Sequence, residues 1–397
     1  MTISDILNGA WILVQVLIGY NLVLPVILYL CYLLVRKNMS ANEKQTTAHD
    51  YAIIVTAYEQ TDSLPPVIDS ILKLNYANYL IYIVADKCDV SNLKFDDPRV
   101  IVLRPPETLA SNTRSHFYAI RNFKRNHNIL TIIDSDNLVD PEYLNELNKC
   151  FDAGFKAVQG LRKAKNLDTT FACLDASRDI YYHFYDGEVL FNMGSSATLS
   201  GSGMAFTISL YRECLEHRDI SGAGFDKVLQ MEIISRGNRI AFTEHAVVYD
   251  EKTTRSDQLV KQRSRWINTW FRYFTFGFSL MAQGIKKFDF NRVLFGVILL
   301  RPPLFIFLIL SFFFFVINIC VSKIALLIWA IAFCCFIAGF IIALVHGKAD
   351  KRIIRSLVSI PRFIFYQVIS LLRMKKANKI SVATHHYSSK TIDDLKK

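Results

Sequence analysis

Residues 6–35 hold no charged side chain, and neither do residues 302–322 or 324–345. A helix crosses the hydrocarbon core of a bilayer with about 20 apolar residues. A buried core helix is shorter and keeps a polar stripe. These runs therefore predict one membrane span near the N-terminus and two near the C-terminus. The first run lacks the basic start of a signal peptide and exceeds the ~7–15 apolar residues of a signal core. Pro25 within it reads as a kink that neighbouring helices absorb.

Other absences narrow the field. The eight cysteines (Cys31, Cys88, Cys150, Cys173, Cys214, Cys320, Cys334 and Cys335) show no Cys-x-x-Cys and no Cys/His ligand spacing. Zinc is therefore not expected. There is no internal repeat and no low-complexity tract. The net charge of +11 comes without a stripe of Lys and Arg interleaved with aromatics. No nucleic-acid motif accompanies it, so no nucleic-acid partner is expected. Basic flanks suit anionic lipid headgroups, and an anionic substrate fits the same balance.

Lys and Arg are also missing before the first span, which is preceded by Asp5 alone. Arg36, Lys37 and Lys44 follow it. Lys323 alone lies between the later spans, whereas Arg292, Arg301, Lys348, Lys351, Arg352 and Arg355 flank them. The positive-inside rule then puts the N-terminus outside a cell (inner or plasma) membrane and the middle of the chain in the cytoplasm. There the remaining cysteines are expected as free thiols. Residues 353–372 offer only ten consecutive uncharged positions, 363–372, too few to cross. An interfacial amphipathic helix is expected instead. The aromatic-rich residues 266–281 are expected near the membrane surface.

Between the spans the pattern changes. Residues 39–49 are a polar linker. Residues 51–57 (YAIIVTA), 80–85 (LIYIVA), 100–103 and 129–133 (ILTII) are short β-branched apolar runs, as buried strands are. Residues 64–72 and 112–125 read as helices, and a further helix begins near Pro141. Strands alternating with helices predict an α/β fold with a mostly parallel sheet covered on both faces. In such sheets ligands bind beyond the carboxyl ends of the strands. The residues at those ends are Tyr58-Glu59, Asp86 and Asp134-Ser135-Asp136.

Asp134 and Asp136 form a D-x-D that can hold a hard divalent cation, Mg²⁺ or Mn²⁺, through oxygen ligands. The plain alternative is a solvated turn. Asp86 can accept a hydrogen bond from a base or a ribose, and Tyr58 can offer an aromatic face. Asp226 follows a glycine-rich lead, residues 221–225 (SGAGF), and starts a helix. It is either a cap or a general base toward an acceptor hydroxyl. Gln262, Arg265 and Trp266 fall at i, i+3 and i+4 on one helix face. Arg265 can bind a diphosphate, Trp266 can stack on a sugar, and Gln262 can bond a hydroxyl. The same segment also fits a surface helix with its arginines on lipid phosphates.

Taken in order, strand–Tyr58-Glu59, strand–Asp86, Asp134-Ser135-Asp136, Gly201-Ser202-Gly203, the Asp226 loop and Gln262-x-x-Arg265-Trp266 resemble the family-2 glycosyltransferases with a GT-A (Rossmann-like) fold. The similarity is greatest to the membrane-bound, cellulose- and hyaluronan-synthase-like branch, over residues 51–270. The resemblance implies a nucleotide-sugar donor, with a UDP-sugar as the first expectation, and inversion at the anomeric centre. It implies that Tyr58, Glu59, Asp86 and Asp134 bind the donor nucleotide, and that Asp134 and Asp136 bind the metal. Asp226 is the implied catalytic base, and Gln262, Arg265 and Trp266 close over the diphosphate and the acceptor end. The Thr-Glu-Asp usual in the family reads Gly-Phe-Asp226 here, which keeps Asp219 and Glu232 open as alternative bases. Arg114 stands where the family often has a lysine.

The chain divides accordingly into an anchor (1–38), a cytosolic catalytic domain (39–284), a transmembrane hairpin (285–347) and a basic interfacial helix with a tail (348–397). The expected function is sugar transfer to a lipid-linked or growing glycan acceptor in cell-surface polysaccharide or glycolipid synthesis. A processive polysaccharide synthase and an inactive nucleotide-sugar-binding membrane partner are the alternatives.

Overall fold

A computed structural model describes residues 3–36, 47–220, 222–376 and 390–395. The linker read at 39–49 lies outside these residues as far as residue 46, as does the tail from 377 to 389.

The first helix, α1 (Ile3–Arg36), covers the first uncharged run and continues through Pro25. Next come β1 (Tyr51–Tyr58), α2 (Leu64–Leu72), β2 (Tyr79–Asp86), β3 (Val100–Leu103), α3 (Asn112–Arg121), β4 (Ile129–Asp134), β5 (Leu138–Val139) and α4 (Tyr143–Asp152). In β1, Ala52 and Ile54 enter one apolar cluster, while Tyr51, Ile53 and Val55 enter the cluster on the opposite face. Alternation along a strand sends neighbours to opposite faces. With helices covering both faces, the strand must be apolar throughout. Helix α3 begins at Ser111, whose Oγ accepts from the Arg114 amide. It ends at Arg121, short of the expected residue 125. There the chain leaves the helix so that the Lys124 N–H can donate to the buried Tyr82 hydroxyl at 2.9 Å.

The second half contains elements that the strand-and-helix reading did not reach. They are β6 (Ala157–Ala164), α5 (Thr170–Tyr182), a π-helical segment (His183–Val189) continuing into α6 (Leu190–Asn192), β7 (Met204–Thr207), α7 (Ile208–Leu215) and β8 (Ile240–Asp250), while α8 (Phe225–Ser235) is the helix expected at Asp226. The sheet order is β3-β2-β1-β4-β7-β6-β8-β5. Strands β1 to β4 run parallel, as expected, and so do β6 and β8. Strand β7 lies antiparallel between β4 and β6, and β5 antiparallel to β8, so the sheet is mixed. The carboxyl ends of β1 and β4 open on the same side, paired Thr56 to Asp134.

Helices α9 (Ser256–Tyr273), α10 (Phe276–Lys287) and α11 (Phe290–Leu300) lead into α12 (Leu304–Val321) and α13 (Lys323–His346), followed by α14 (Lys351–Ser356) and α15 (Ile360–Arg373). Helices α1, α12 and α13 coincide with the three expected spans. Gln15 ties them together, its Oε1 accepting from Asn318 Nδ2 at 2.7 Å and Trp329 Nε1 at 2.8 Å. Large apolar side chains such as Leu13, Phe312 and Ile331 face outward and are exposed. A fourth helical segment, Lys351–Arg373, is also long and apolar enough to cross a membrane. It carries Arg352, Arg355 and Arg362, and it packs on α9, where Ser264 Oγ donates to the Ser370 carbonyl at 2.9 Å. The sheet-bearing domain is joined to α1 and α13 at Glu188, which accepts from Tyr32 of α1 and lies 3.3 Å from His346 of α13. All eight cysteines are free.

Candidate active site

The D-x-D sits where β4 ends. Its backbone is pinned by Ser202, which is fully buried: Ser202 Oγ accepts from the Asp134 N–H at 3.0 Å and from Asn137 Nδ2 at 2.7 Å. Ser202 reaches that position because Gly203 turns with φ +66° directly against Val248. A Cβ there would lie 2.8 Å from Val248 Cγ2, so only glycine fits. The Gly201-Ser202-Gly203 run thus fixes the D-x-D turn from behind.

Burial, reinforced by the charge of Asp136, pushes the Asp134 carboxyl up to about 7, while Arg162 pulls it back. Asp250 and Asp226 add to the repulsion. Several carboxylates crowded in one dry place need a cation. Two of them one residue apart, oxygen donors only, fit Mg²⁺ or Mn²⁺. On an observed property, the residues present suit the group the family implies.

Asp134 and Asp136 open into a cavity of about 660 Å³. Tyr58, Asp226, Gln262, Arg265 and Trp266 line the same cavity. Helix α9 contributes Gln258, Gln262, Arg265, Trp266, Thr269 and Tyr273 at helical spacing, with Arg263, Ile267 and Trp270 beside them. Gln262 Oε1 accepts from Thr253 Oγ1 at 3.0 Å. Arg265 has no acidic partner and no side-chain hydrogen bond among the described residues, and burial holds its guanidinium below the usual arginine range. Asp226 lies in the first turn of α8, with Lys227 Nζ 3.2 Å from its Oδ2.

Two of the residues named from the sequence lie outside this lining. Both Asp86 carboxylate oxygens accept backbone amides, from Leu109 at 2.9 Å and Ala110 at 2.7 Å, and the residue is buried. Glu59 pairs with Lys87 at 2.7 Å on the surface. Glu59, Lys87 and Ala110 all take positive φ (61°, 56° and 47°) around Asp86. Left-handed non-glycine residues are costly and cluster at functional loops. The alternative bases are occupied elsewhere. Asp219 pairs with Arg114 at 2.5 Å on the surface, and Glu232 is held by Arg218 and Arg236.

The cavity also exposes a charged layer that the sequence reading missed. Asp175, Arg178, Asp179, His183 and Asp186 line it from α5 and the π-helical segment. Arg162 pairs with Asp250 at 2.5 Å, and Lys252 bridges Asp250 and Asp179 at 2.6 and 2.5 Å. Burial opposes the charge on Asp179, yet Arg178 and Lys252 hold it below the usual carboxylate range. Burial pushes the His183 imidazole down to about 4. The signal was present as charges spaced three to four residues apart within an apolar stretch, a pattern that reads equally as a solvated helix face.

Comparison with known proteins fits this geometry. A model of the family described as Glycosyltransferase like family 2 matches residues 49–269. Among solved structures, the chain is similar to the mannosyltransferase PcManGT from Pyrobaculum calidifontis in complex with GDP-Man and Mn2+. That match has 15% identity, covers 88% of this chain and 95% of that one, and has a TM-score of 0.48. It is similar also to S. aureus TarS 1-349, with 14% identity, 83% and 90% covered, and a TM-score of 0.41. No curated protein sequence matches.

Proposed function

The chain belongs to the glycosyltransferase-like family 2, matched over more than half its length, and from that premise we propose that it transfers a sugar from a nucleoside-diphosphate donor to a membrane-associated or growing glycan acceptor, inverting the anomeric centre. One observation carries this reading. A strand-end carboxylate pair, a carboxylate at a helix start and an arginine without an acidic partner converge on one cavity.

In this reading the acceptor hydroxyl attacks the anomeric carbon from the face opposite the nucleotide. The bond from that carbon to the diphosphate oxygen breaks, and its electron pair leaves with the nucleoside diphosphate. Asp226 takes the hydroxyl proton, with Lys227 fixing its carboxylate. A divalent cation held by Asp134 and Asp136 would offset charge on the leaving diphosphate. Arg265, with Gln262 beside it, supplies donors to the same diphosphate. Tyr58 offers its ring to the nucleotide base. Asp86 acts from behind, holding the loop at Leu109 and Ala110, and Trp266 shapes the acceptor end.

The same reading takes 1–38 as an anchor with its N-terminus outside, 39–284 as cytoplasmic, 285–347 as a hairpin and 348–397 as interfacial. The arginines along Lys351–Arg373 and its packing on α9 favour a surface position over a fourth crossing.

The test is a panel of labelled nucleotide-sugars offered to membranes carrying the full chain. Divalent-ion-dependent release of nucleoside diphosphate from one donor is the expected result. Failure of every donor, with and without Mn²⁺, would overturn the proposal.

A further inference from the structure

The cavity extends past the carboxylates to the membrane helices. There its wall turns apolar, with Phe276, Ile298, Leu299, Pro302, Leu304 and Phe305. One charge stands in that wall. Arg301 is 7% exposed and joins α11 to the Pro-Pro lead of α12. It pairs with Asp186 through Nη2 alone. Its remaining N–H groups make no hydrogen bond among the described residues, and the side chain lines the cavity. Asp186, also buried, leaves its Oδ1 without a partner.

A buried guanidinium with open N–H groups is costly unless a ligand meets them. An ion pair kept only for structure would satisfy both partners; this one leaves donors open beside an apolar wall. A neutral lipid would leave those donors uncompensated. A free anion would leave the apolar wall unused. A guanidinium presents paired N–H groups that match a phosphate.

We propose that this end of the cavity is an acceptor subsite for a phosphate-bearing lipid. The phosphate rests on Arg301, the chain runs along Pro302–Phe305 into the bilayer, and the hydroxyl to be glycosylated turns toward Asp226. The inference rests on the glycosyl-transfer reading and names its acceptor class. The phosphate is held and keeps its bonds. Only the hydroxyl forms a new bond, to the anomeric carbon, as its proton passes to Asp226 and the nucleoside diphosphate departs.

The experiment compares lipids that share a tail and differ only in the phosphate, bound to the full chain in neutral-lipid nanodiscs. The pairs are polyisoprenyl phosphate with polyisoprenol, and phosphatidic acid with diacylglycerol; the phosphorylated probes carry phosphate and tail without the acceptor hydroxyl and report binding alone. Inorganic phosphate alone is the third arm. The expected result is a preference of about tenfold or more for a phosphorylated member, with inorganic phosphate failing to compete. Whichever pair shows the preference identifies the lipid source. The ratio should fall to near one in Arg301→Gln and persist in Arg301→Lys. Because the ratio is internal to each preparation, partial loss of folded protein leaves it unchanged. A ratio near one in the wild type, a ratio unmoved in Arg301→Gln, or full competition by inorganic phosphate overturns the inference. Nucleotide-sugar turnover by the full chain in the membranes of the donor panel separates the two claims. Turnover without phosphate preference sinks only the subsite, whereas absence of turnover sinks the glycosyl-transfer reading as well.

Discussion

The guanidinium of Arg263 lies over the ring of Trp266, 4.1 Å from its centroid, while its Nη2 pairs with buried Asp175. Arg178 approaches the same ring at 4.7 Å. Trp266 is therefore already stacked by protein cations. The two arginines of this short segment differ in kind: Arg263 is tied into the fold, whereas Arg265 meets no acidic partner among the described residues.

Substitution should separate them. Arg263→Gln removes one of the two guanidiniums on buried Asp175, leaving Arg178 at 3.2 Å, and should cost about 1–3 kcal/mol. Arg265→Gln breaks no ion pair and should change stability by less than about 1 kcal/mol. It should lower kcat/KM by about 100-fold or more, the scale seen when a group opposing transition-state charge is removed. Thermal unfolding and steady-state rates on both variants check this; the reverse pattern would contradict the assignment.

Asp226→Asn should cut turnover by about 100-fold to 10,000-fold, the range of general-base catalysis. Donor affinity should hold, since the carboxylate faces the acceptor side in this reading. Asp219→Asn should be nearly silent, because its partner Arg114 is exposed. Glu232→Gln should lose stability, because Arg218 and Arg236 both rely on that carboxylate. Nucleotide binding and turnover on the three variants decide among the bases.

The Asp134 carboxyl, pushed to about 7, makes ion binding depend on pH. The cation needs the ionised form, so Mn²⁺ affinity should rise about tenfold per pH unit below 7 and level off above it. Without the ion the sign for stability is opposite. An unfolded aspartate titrates near about 4, so the folded chain keeps a proton that the unfolded chain has lost. That contribution is fully present below about pH 4 and is lost as pH rises through about 7. Mn²⁺ titration and thermal unfolding from pH 5 to 8.5 read both, and Asp134→Asn should flatten both.

Much of this was legible in advance, for physical reasons. The β1, β2, β3 and β4 runs are apolar on both faces, and the three spans lack charge, so composition alone marks them. Asp134, Asp136 and Asp226 were locatable because a strand end and a glycine-led helix start mark their positions, although a turn or a cap would use the same residue types. Strand β6 hides because Gln159, Arg162 and Lys163 interrupt its apolar pattern, each held by tertiary partners or exposed at the strand's end. The buried layer of Asp175, Arg178 and Asp179 hides for the same reason: α13, α14 and α15 pack on α5, and Arg263 and Trp266 of α9 reach Asp175 and Arg178, all from far along the chain. Asp86 was locatable as a strand-end carboxylate, but its bonding was not. Its carboxylate meets Leu109 and Ala110, a contact that no local pattern announces.

Gly224 sets the distance between α8 and α9. It has φ +106°, and a Cβ there would fall 2.6 Å from Tyr273 Cε2 and 2.7 Å from Thr269 Cγ2. Gly224→Ala should push α9 away from the Asp226 turn. A shift of about 1 Å between reacting groups can cost about 100-fold, so turnover should fall steeply while the D-x-D still binds Mn²⁺. Rates and ion titration on this variant check the coupling.

The central claim is that Asp134, Asp136, Asp226 and Arg265 act together on one nucleotide-sugar. The most direct measurement is the release of nucleoside diphosphate by the purified full chain, with Mn²⁺, from the donor that the panel selects, for the wild type and Asp226→Asn. The account predicts release and sugar transfer by the wild type, and transfer lost in the variant with donor binding intact. Equal transfer by both proteins would contradict it.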